Sequence, residues 1–507
     1  MMILILIPLA VLLLFLLKYK HSYWTRRNIA QDEPSVCFGN LKEYLVGDIT
    51  MNQAIQKSYH ALKKKGVKHG GIYFLYQPVW IPIDLDLVKR IFTVDFEHFN
   101  SHGTLFFSHE KDFVTMNLFN LSGPKWKTLR AKFTPTFTSG KMKLMYDVVS
   151  VIGDRLEQYV DEFARNGKPI EAKDTALRFG SDLITTCFFG VDSDSINKPE
   201  SSVFREFGQR IGTLRPLKML LENIFNWDLL ANLGYRFSDK DITDFFTELA
   251  RNTVEYREKN NFTRGDYLDI LIQLRKKGAL NDDETLNDGE GGFLTLKEMV
   301  ASMFLVFAAG LDTSSSATVH LLFELAKNQE IQDKLRNEIK SLADKRPDGK
   351  LTYDDLMEMK YADMCISEIL RMSPSLPEVP RECTKSYKVP GEDVIIEKGT
   401  RVMISAFAIQ NDPEIYPDPE KFDPERFSPE NKKLRHEYSF FGFGGGPRSC
   451  IGSRFAIMQI KLALSKYLTN YKYTLNPKTP EKLTLKKHTI SLTPREDVLL
   501  DVTPLNY

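Results

Sequence analysis

The sequence lacks the features that would staple or subdivide it. Its five cysteines, at positions 37, 187, 365, 383 and 450, are odd in number, widely scattered and form no C-x-x-C pair. This argues against both a disulfide framework and a structural zinc site. No Pro/Gly/Ser-rich linker, internal repeat or low-complexity tract divides the 507 residues after position 40. One large domain is therefore the simplest organisation, although length alone would allow more. Charge of either sign is not in excess: 68 Lys+Arg against 67 Asp+Glu leave a net charge of +1, so nothing global points to nucleic acid.

What is present starts at the amino terminus. Met1 to Leu17 carries no charge, with Pro8 its one notable interruption, and no later run compares with it. A helix reaching Tyr23 would span about 30–35 Å, just enough for a bilayer. Lys18, Lys20, His21, Arg26 and Arg27 come next, with Tyr19, Tyr23 and Trp24 as interfacial candidates. By the positive-inside rule these charges stay cytosolic, with the bulk of the chain. A cleaved signal is the weaker alternative, because a basic leading region and a small-x-small cleavage site are both missing. The expected organisation is a membrane anchor over 1–24, a short hinge over 25–40 and a single catalytic domain over 41–507.

The 42% hydrophobic residues suffice for a large core. Gly71 to Tyr76 and Val79 to Ile83 are rich in β-branched and aromatic residues and read as a hairpin. From about 120 to 370 the pattern is mostly helical. Ser122 is placed to cap a helix with Pro124 in its first turn. The polar, glycine-rich stretch 276–294 reads as an exposed loop. Thr295 and Glu298 form a capping box for a long helix to about Lys327. Short strands are expected around Val394 and Arg401. The fold class is mainly α with a minor β part.

The sharpest local pattern is Phe443-Gly-Gly-Gly-Pro-Arg448-Ser-Cys450-Ile-Gly452. Cys450 stands between a glycine-rich turn and a helix start, where backbone N–H groups and the helix dipole lower a thiol's pKa and favour thiolate. The other four cysteines have the surroundings of packing residues. This F-x-x-G-x-R-x-C-x-G pattern resembles the haem-binding signature of the cytochrome P450 family. The resemblance implies the P450 fold, with a long central helix over the haem, and haem b (iron protoporphyrin IX) ligated by Cys450, with Phe443 in the same loop. A thiolate ligand favours O–O cleavage.

Further segments fit the same resemblance. Glu368 and Arg371, at i,i+3 on one helix face, with Arg426 of Pro424-Glu-Arg-Phe427, resemble the family's Glu-Arg-Arg triad, a structural lock. Ala309-Gly310-Leu-Asp312-Thr313 sits in a long apolar helix, where a mid-helix glycine costs about 1 kcal/mol and such a local conflict suggests a site. The resemblance gives Gly310 the role of leaving room for dioxygen, and Thr313 and Asp312 that of delivering protons. Trp126 and Arg130 resemble the family's Trp-x-x-x-Arg, which with Arg381 and Arg448 would hold the haem propionates. His102 departs from the family, where Arg is usual near this point; it reads equally as a propionate contact or a solvated loop histidine.

By resemblance the activity is a membrane-bound monooxygenase acting on a lipophilic small molecule. NADPH electrons would arrive through a flavoprotein reductase, with cytochrome b5 as a further candidate partner, at the endoplasmic reticulum membrane. Substrate contacts would come from the loop 104–119, the helix around Phe304 and Ala308, Leu376 to Val379, and Ser491-Leu492. Thr134 to Lys141 is most similar to the insect microsomal branch. An isomerase on the same fold or a haem sensor are the alternatives, and Asp312-Thr313 argues against both. Lys125, Lys127 and Lys132, beside an Arg130 expected to turn inward to a propionate, with Lys432, Lys433 and Arg435, form the expected reductase-facing positive charge.

Overall fold

The computed structural model describes residues 2–505 except 104–108, 214, 216, 217, 219, 220, 222–224, 226 and 278–293. Most of the expected 276–294 loop, and the first part of the 104–119 loop, therefore lie outside the described residues.

Two cores divide the chain. The larger is helical and is organised by the Leu296–Lys327 helix. Its amino end is closed by the expected capping box: Thr295 N donates to Glu298 Oε2 at 2.8 Å, and Glu298 N to Thr295 Oγ1 at 3.2 Å. Its 32 residues are long and apolar enough to cross a membrane, yet Val300, Phe307, Leu311 and Leu321 are buried among neighbouring helices. It packs along Ala172–Ile184 and touches Ser453–Leu468, the helix just after Cys450.

The smaller core is β-rich. Strands β1 (His69–Phe74) and β2 (Gln77–Pro82) form the expected hairpin, and β2 runs parallel to β7 (Arg401–Ser405). Strand β4 (Glu378–Glu382) closes this four-stranded sheet in the order β1-β2-β7-β4, with Arg381 opposite Val402. Smaller sheets join β3 (Ile170–Glu171), β9 (Leu499–Pro504) and β8 (Tyr471–Leu475), and β5 (Tyr387–Lys388) with β6 (Ile395–Ile396).

The amino-terminal helix spans Met2–His21, and Leu12, Leu13 and Phe15 on it are exposed. The residues just beyond this helix differ from expectation. Trp24 is 1% exposed, its Nε1 donates to Ile72 O at 3.2 Å, and a Cβ on Gly71 would collide with its ring. It is a core residue, not an interfacial one. The 25–40 segment is likewise stitched to the sheet: Gly71 N donates to Ala30 O, and Asp32 N to Gly71 O. Arg27 pairs with Glu397 at 2.8 Å. Ser122 is also corrected: it occupies the N-cap of Gly123–Phe133, but its side chain makes no capping bond.

Candidate functional site

Cys450 is held by backbone, not by side chains. Its N–H donates to Phe443 O at 2.8 Å, and Gly444 N to Phe441 O at 2.8 Å. Gly444 and Gly446 sit at φ +75° and +65°, where side chains are disfavoured. A Cβ on Gly446 would also lie 1.8 Å from Phe92 O, so the loop lies directly on the backbone of that neighbouring segment. The Cys450 side chain is accessible, whereas Cys187, Cys365 and Cys383 are buried. Surrounding protein nonetheless raises its thiol pKa, and this outweighs the Gly452 amide and Arg130, which lower it. The helix start thus lowers the thiol pKa in the expected direction, but desolvation is the larger effect.

Beside the loop lie three arginines. Arg448 stands over the Trp126 ring at 4.2 Å and donates to the carbonyls of Asn100, Leu118, Phe119 and Leu121, at 2.5 to 3.3 Å. Arg130 Nη2 donates to Ser449 O at 2.8 Å, next to the cysteine. Arg381 is 2% exposed, donates to Pro380 O at 2.8 Å, and has no partner for Nε. Burial pushes the Arg381 guanidinium down to about 9; for Arg448 burial, then Arg381 and Arg130, do the same. Among the described residues no carboxylate pairs with any of the three.

The middle of the Leu296–Lys327 helix is tied to this region through Ser375. Ala309 is exposed there, and Thr313 Oγ1 donates to Ala309 O at 2.6 Å, which puts both on one face. Ser375 Oγ donates to Thr313 O at 3.1 Å. The segment from Ser375 to Arg381 therefore bridges the helix and the arginines. Asp312 has Oδ2 buried without a hydrogen-bond partner; desolvation raises its pKa, opposed by the Ser491 hydroxyl and amide.

A sequence profile of the family described as Cytochrome P450 matches residues 31–500. The chain belongs to the cytochrome P450 family. It is 37% identical to Cytochrome P450 6a2 of Drosophila melanogaster over 478 residues, 93% of each chain. It is 34% identical to Cytochrome P450 6A1 of Musca domestica over 502 residues, covering 97% of this chain and 96% of the other. Cytochrome P450 6k1 of Blattella germanica is 34% identical over 92% of this chain and 90% of its own. The chain is thus a haem-thiolate monooxygenase whose cofactor is haem b.

The residues present fit that cofactor. An accessible thiol on a loop pinned by backbone suits an iron ligand, and desolvated guanidiniums without acids suit the carboxylates of an anionic porphyrin. The P450 triad is closed as the spacing suggests. Arg371 Nε and Nη2 donate to Glu368 at 2.7 and 2.9 Å with both side chains 0% exposed, and Arg426 Nε lies 3.4 Å from Glu368.

Other expected residues sit differently. A Cβ on Gly310 would come within 3.0 Å of Ile184 Cδ1, so this glycine lets two helices pack closely, and Ala309 is the exposed small residue of the segment. Sequence reading missed Ala309; its signal was the i,i+4 spacing to Thr313. Ser491 and Leu492 are buried; Ser491 bonds Asp312, and Leu492 O accepts from Ser316 and His320. Lys132 is buried and Arg435 is stacked at 4.8 Å on Tyr416, which removes both from the free positive charge. His102 is buried, so the solvated-loop reading is overturned.

Proposed function

We propose that this P450 inserts one atom of dioxygen into a lipophilic small molecule, using NADPH electrons delivered by a flavoprotein reductase at the endoplasmic reticulum membrane. The haem, when bound, supplies the iron at which dioxygen is reduced. Cys450 would hold that iron, and Arg381 and Trp126 would belong to the cradle for its carboxylates. Thr313 offers the accessible hydroxyl that holds a proton on the substrate side, and Asp312, whose carboxyl pKa burial raises, replenishes it. Ala309, Phe113, Phe119 and Leu376 are apolar groups that limit water there. The exposed leucines of Met2–His21 and the cations after them support insertion with the domain on the cytosolic side.

The accessible Cys450, fixed between Phe443 and Gly452, carries this reading. Cys450→Ala is expected to yield folded protein without the red-shifted absorption of the reduced carbon monoxide complex. Retention of that band would assign iron ligation to another residue.

A further inference from the structure

His102 has no part in the roles above, yet its surroundings are specific. It is 8% exposed, and its Nδ1 lies 2.8 Å from Phe119 O. A carbonyl only accepts, so Nδ1 carries the proton and Nε2 is left for another partner. The Phe119 ring covers the imidazole at 4.3 Å between centroids. Arg448 Nη1 donates to the same carbonyl at 3.2 Å.

The charged groups around His102 come from three elements. Arg381 of β4 and Arg448 of the cysteine loop both disfavour its protonation, as does burial. Arg130, on Gly123–Phe133, stands behind Arg448 and repels it. Glu382, the carboxylate of this corner, accepts from Ser101 Oγ at 3.1 Å, and no hydrogen bond joins it to His102 among the described residues. Fixed cations without a counter-charge form an anion site, and the haem of a P450 brings two carboxylates.

We propose that His102 Nε2 hydrogen-bonds a haem carboxylate and takes up one proton as the haem binds, making haem retention in this protein pH-dependent. In the free protein Arg381, Arg448 and desolvation keep the imidazole neutral. A carboxylate at Nε2 reverses the local potential and favours the imidazolium. The bound state then holds more protons than the free state, so haem affinity rises as pH falls. One proton limits the slope to about tenfold per pH unit, and the slope vanishes where the free protein is already protonated. This inference rests on haem occupying the cleft beside Cys450.

The test measures haem transfer from ferric holoprotein to excess apomyoglobin between about pH 6 and 8, the range in which histidine switches. His102→Asn keeps an amide for Phe119 O but has nothing at Nε2; His102→Gln offers a neutral donor near Nε2; His102→Arg carries a fixed charge. Acid also weakens the iron–sulfur bond in every variant, so rates are read as ratios to the parent at each pH. The Asn and Gln ratios are expected to grow from near unity at pH 8 to about tenfold at pH 6. His102→Arg is expected to lose haem more slowly than the parent at pH 8 and equally at pH 6. Ratios independent of pH, or a His102→Arg pH profile matching the parent, would overturn proton uptake even if the Asn and Gln variants failed to incorporate haem. Parent rates in all three variants would remove the contact itself. A parent without a Soret band would instead sink the haem assignment.

Discussion

The two sides of the cleft are built by opposite means. On the cysteine side the guanidiniums are mostly committed, with Arg381 Nε an exception: Arg448 to backbone carbonyls, Arg130 to Ser449, and Arg371 to Glu368, Gln410 and Pro419. On the helix side, among the described residues, the Thr313 hydroxyl is bonded only within its own helix turn and Asp312 keeps one oxygen unpartnered. The first arrangement resists movement. The second keeps hydrogen-bonding capacity in reserve for groups that arrive. A ligand that must not shift sits on the saturated side, and groups that must exchange protons sit on the unsaturated one.

The strongest way to break this comparison is to open the saturated side. Arg371→Ala leaves Glu368 charged and fully enclosed, which costs about 3–5 kcal/mol. The expected outcome is a large loss of haem-containing protein and a lowered denaturation midpoint. Arg371→Lys should recover little, because one ammonium cannot replace the two-nitrogen fork. A midpoint change of under about 1 kcal/mol would mean that the triad does not stiffen this side.

A somewhat smaller effect separates the anchor from the fold. Removing residues 2–20 deletes exposed apolar surface, whereas removing 2–24 also deletes His21, bonded to Leu75 O, and the enclosed Trp24. Both truncations are expected to leave microsomes to a similar degree. The longer one should be less stable by about 3–5 kcal/mol, the usual cost of losing a buried Trp side chain, as read by thermal denaturation of the haem-containing protein. Equal melting would return Trp24 to the membrane interface.

Trp24 also shows what a sequence conceals. The cysteine loop, the Thr295 capping box, the hairpin and the Glu368–Arg371 pair were legible because their constraints are local: a turn, a cap, a strand period, an i,i+3 spacing. Trp24 lies between an apolar run and two arginines, which is the pattern of an interfacial aromatic; its actual partner, Ile72 O, is 48 residues away. The partners of Leu492 are equally remote, since its carbonyl accepts from Ser316 and His320 more than 170 residues earlier. Gly310 and Ala309 are adjacent small residues, and only the position of Ile184 decides which one is exposed. His102 needed both Arg381 and Arg448 in place before its burial had a meaning.

On the unsaturated side the expected changes are in chemistry, not stability. Thr313→Ala removes a hydroxyl whose one hydrogen bond returns to Ala309 O, a type that adds little to a helix. Stability should move by less than about 0.5 kcal/mol, as for sites away from critical packing. Product per NADPH should fall and peroxide rise, because the proton held over the substrate side is lost. Unchanged coupling would remove Thr313 from proton delivery. A large stability loss would mean that this wall is as saturated as the other.

The smallest expected effect lies on the outer surface of the saturated side. Lys127, Lys432 and Lys433 are exposed, and each lies near the cysteine loop: Lys127 one turn from Arg130, which bonds Ser449, and the other two shortly before Tyr438, which abuts Gly445. None has an ion pair among the described residues. Their charge can therefore act over distance, speeding encounter with an acidic reductase in a way that salt screens. Reversing all three to Glu should leave the melting temperature nearly unchanged, slow reductase-driven turnover most at low ionic strength, and spare turnover driven by added peroxide. Equal loss by both routes would show that the reversal reaches through the loop to Cys450, and the saturated side would then transmit surface charge instead of shielding its ligand from it.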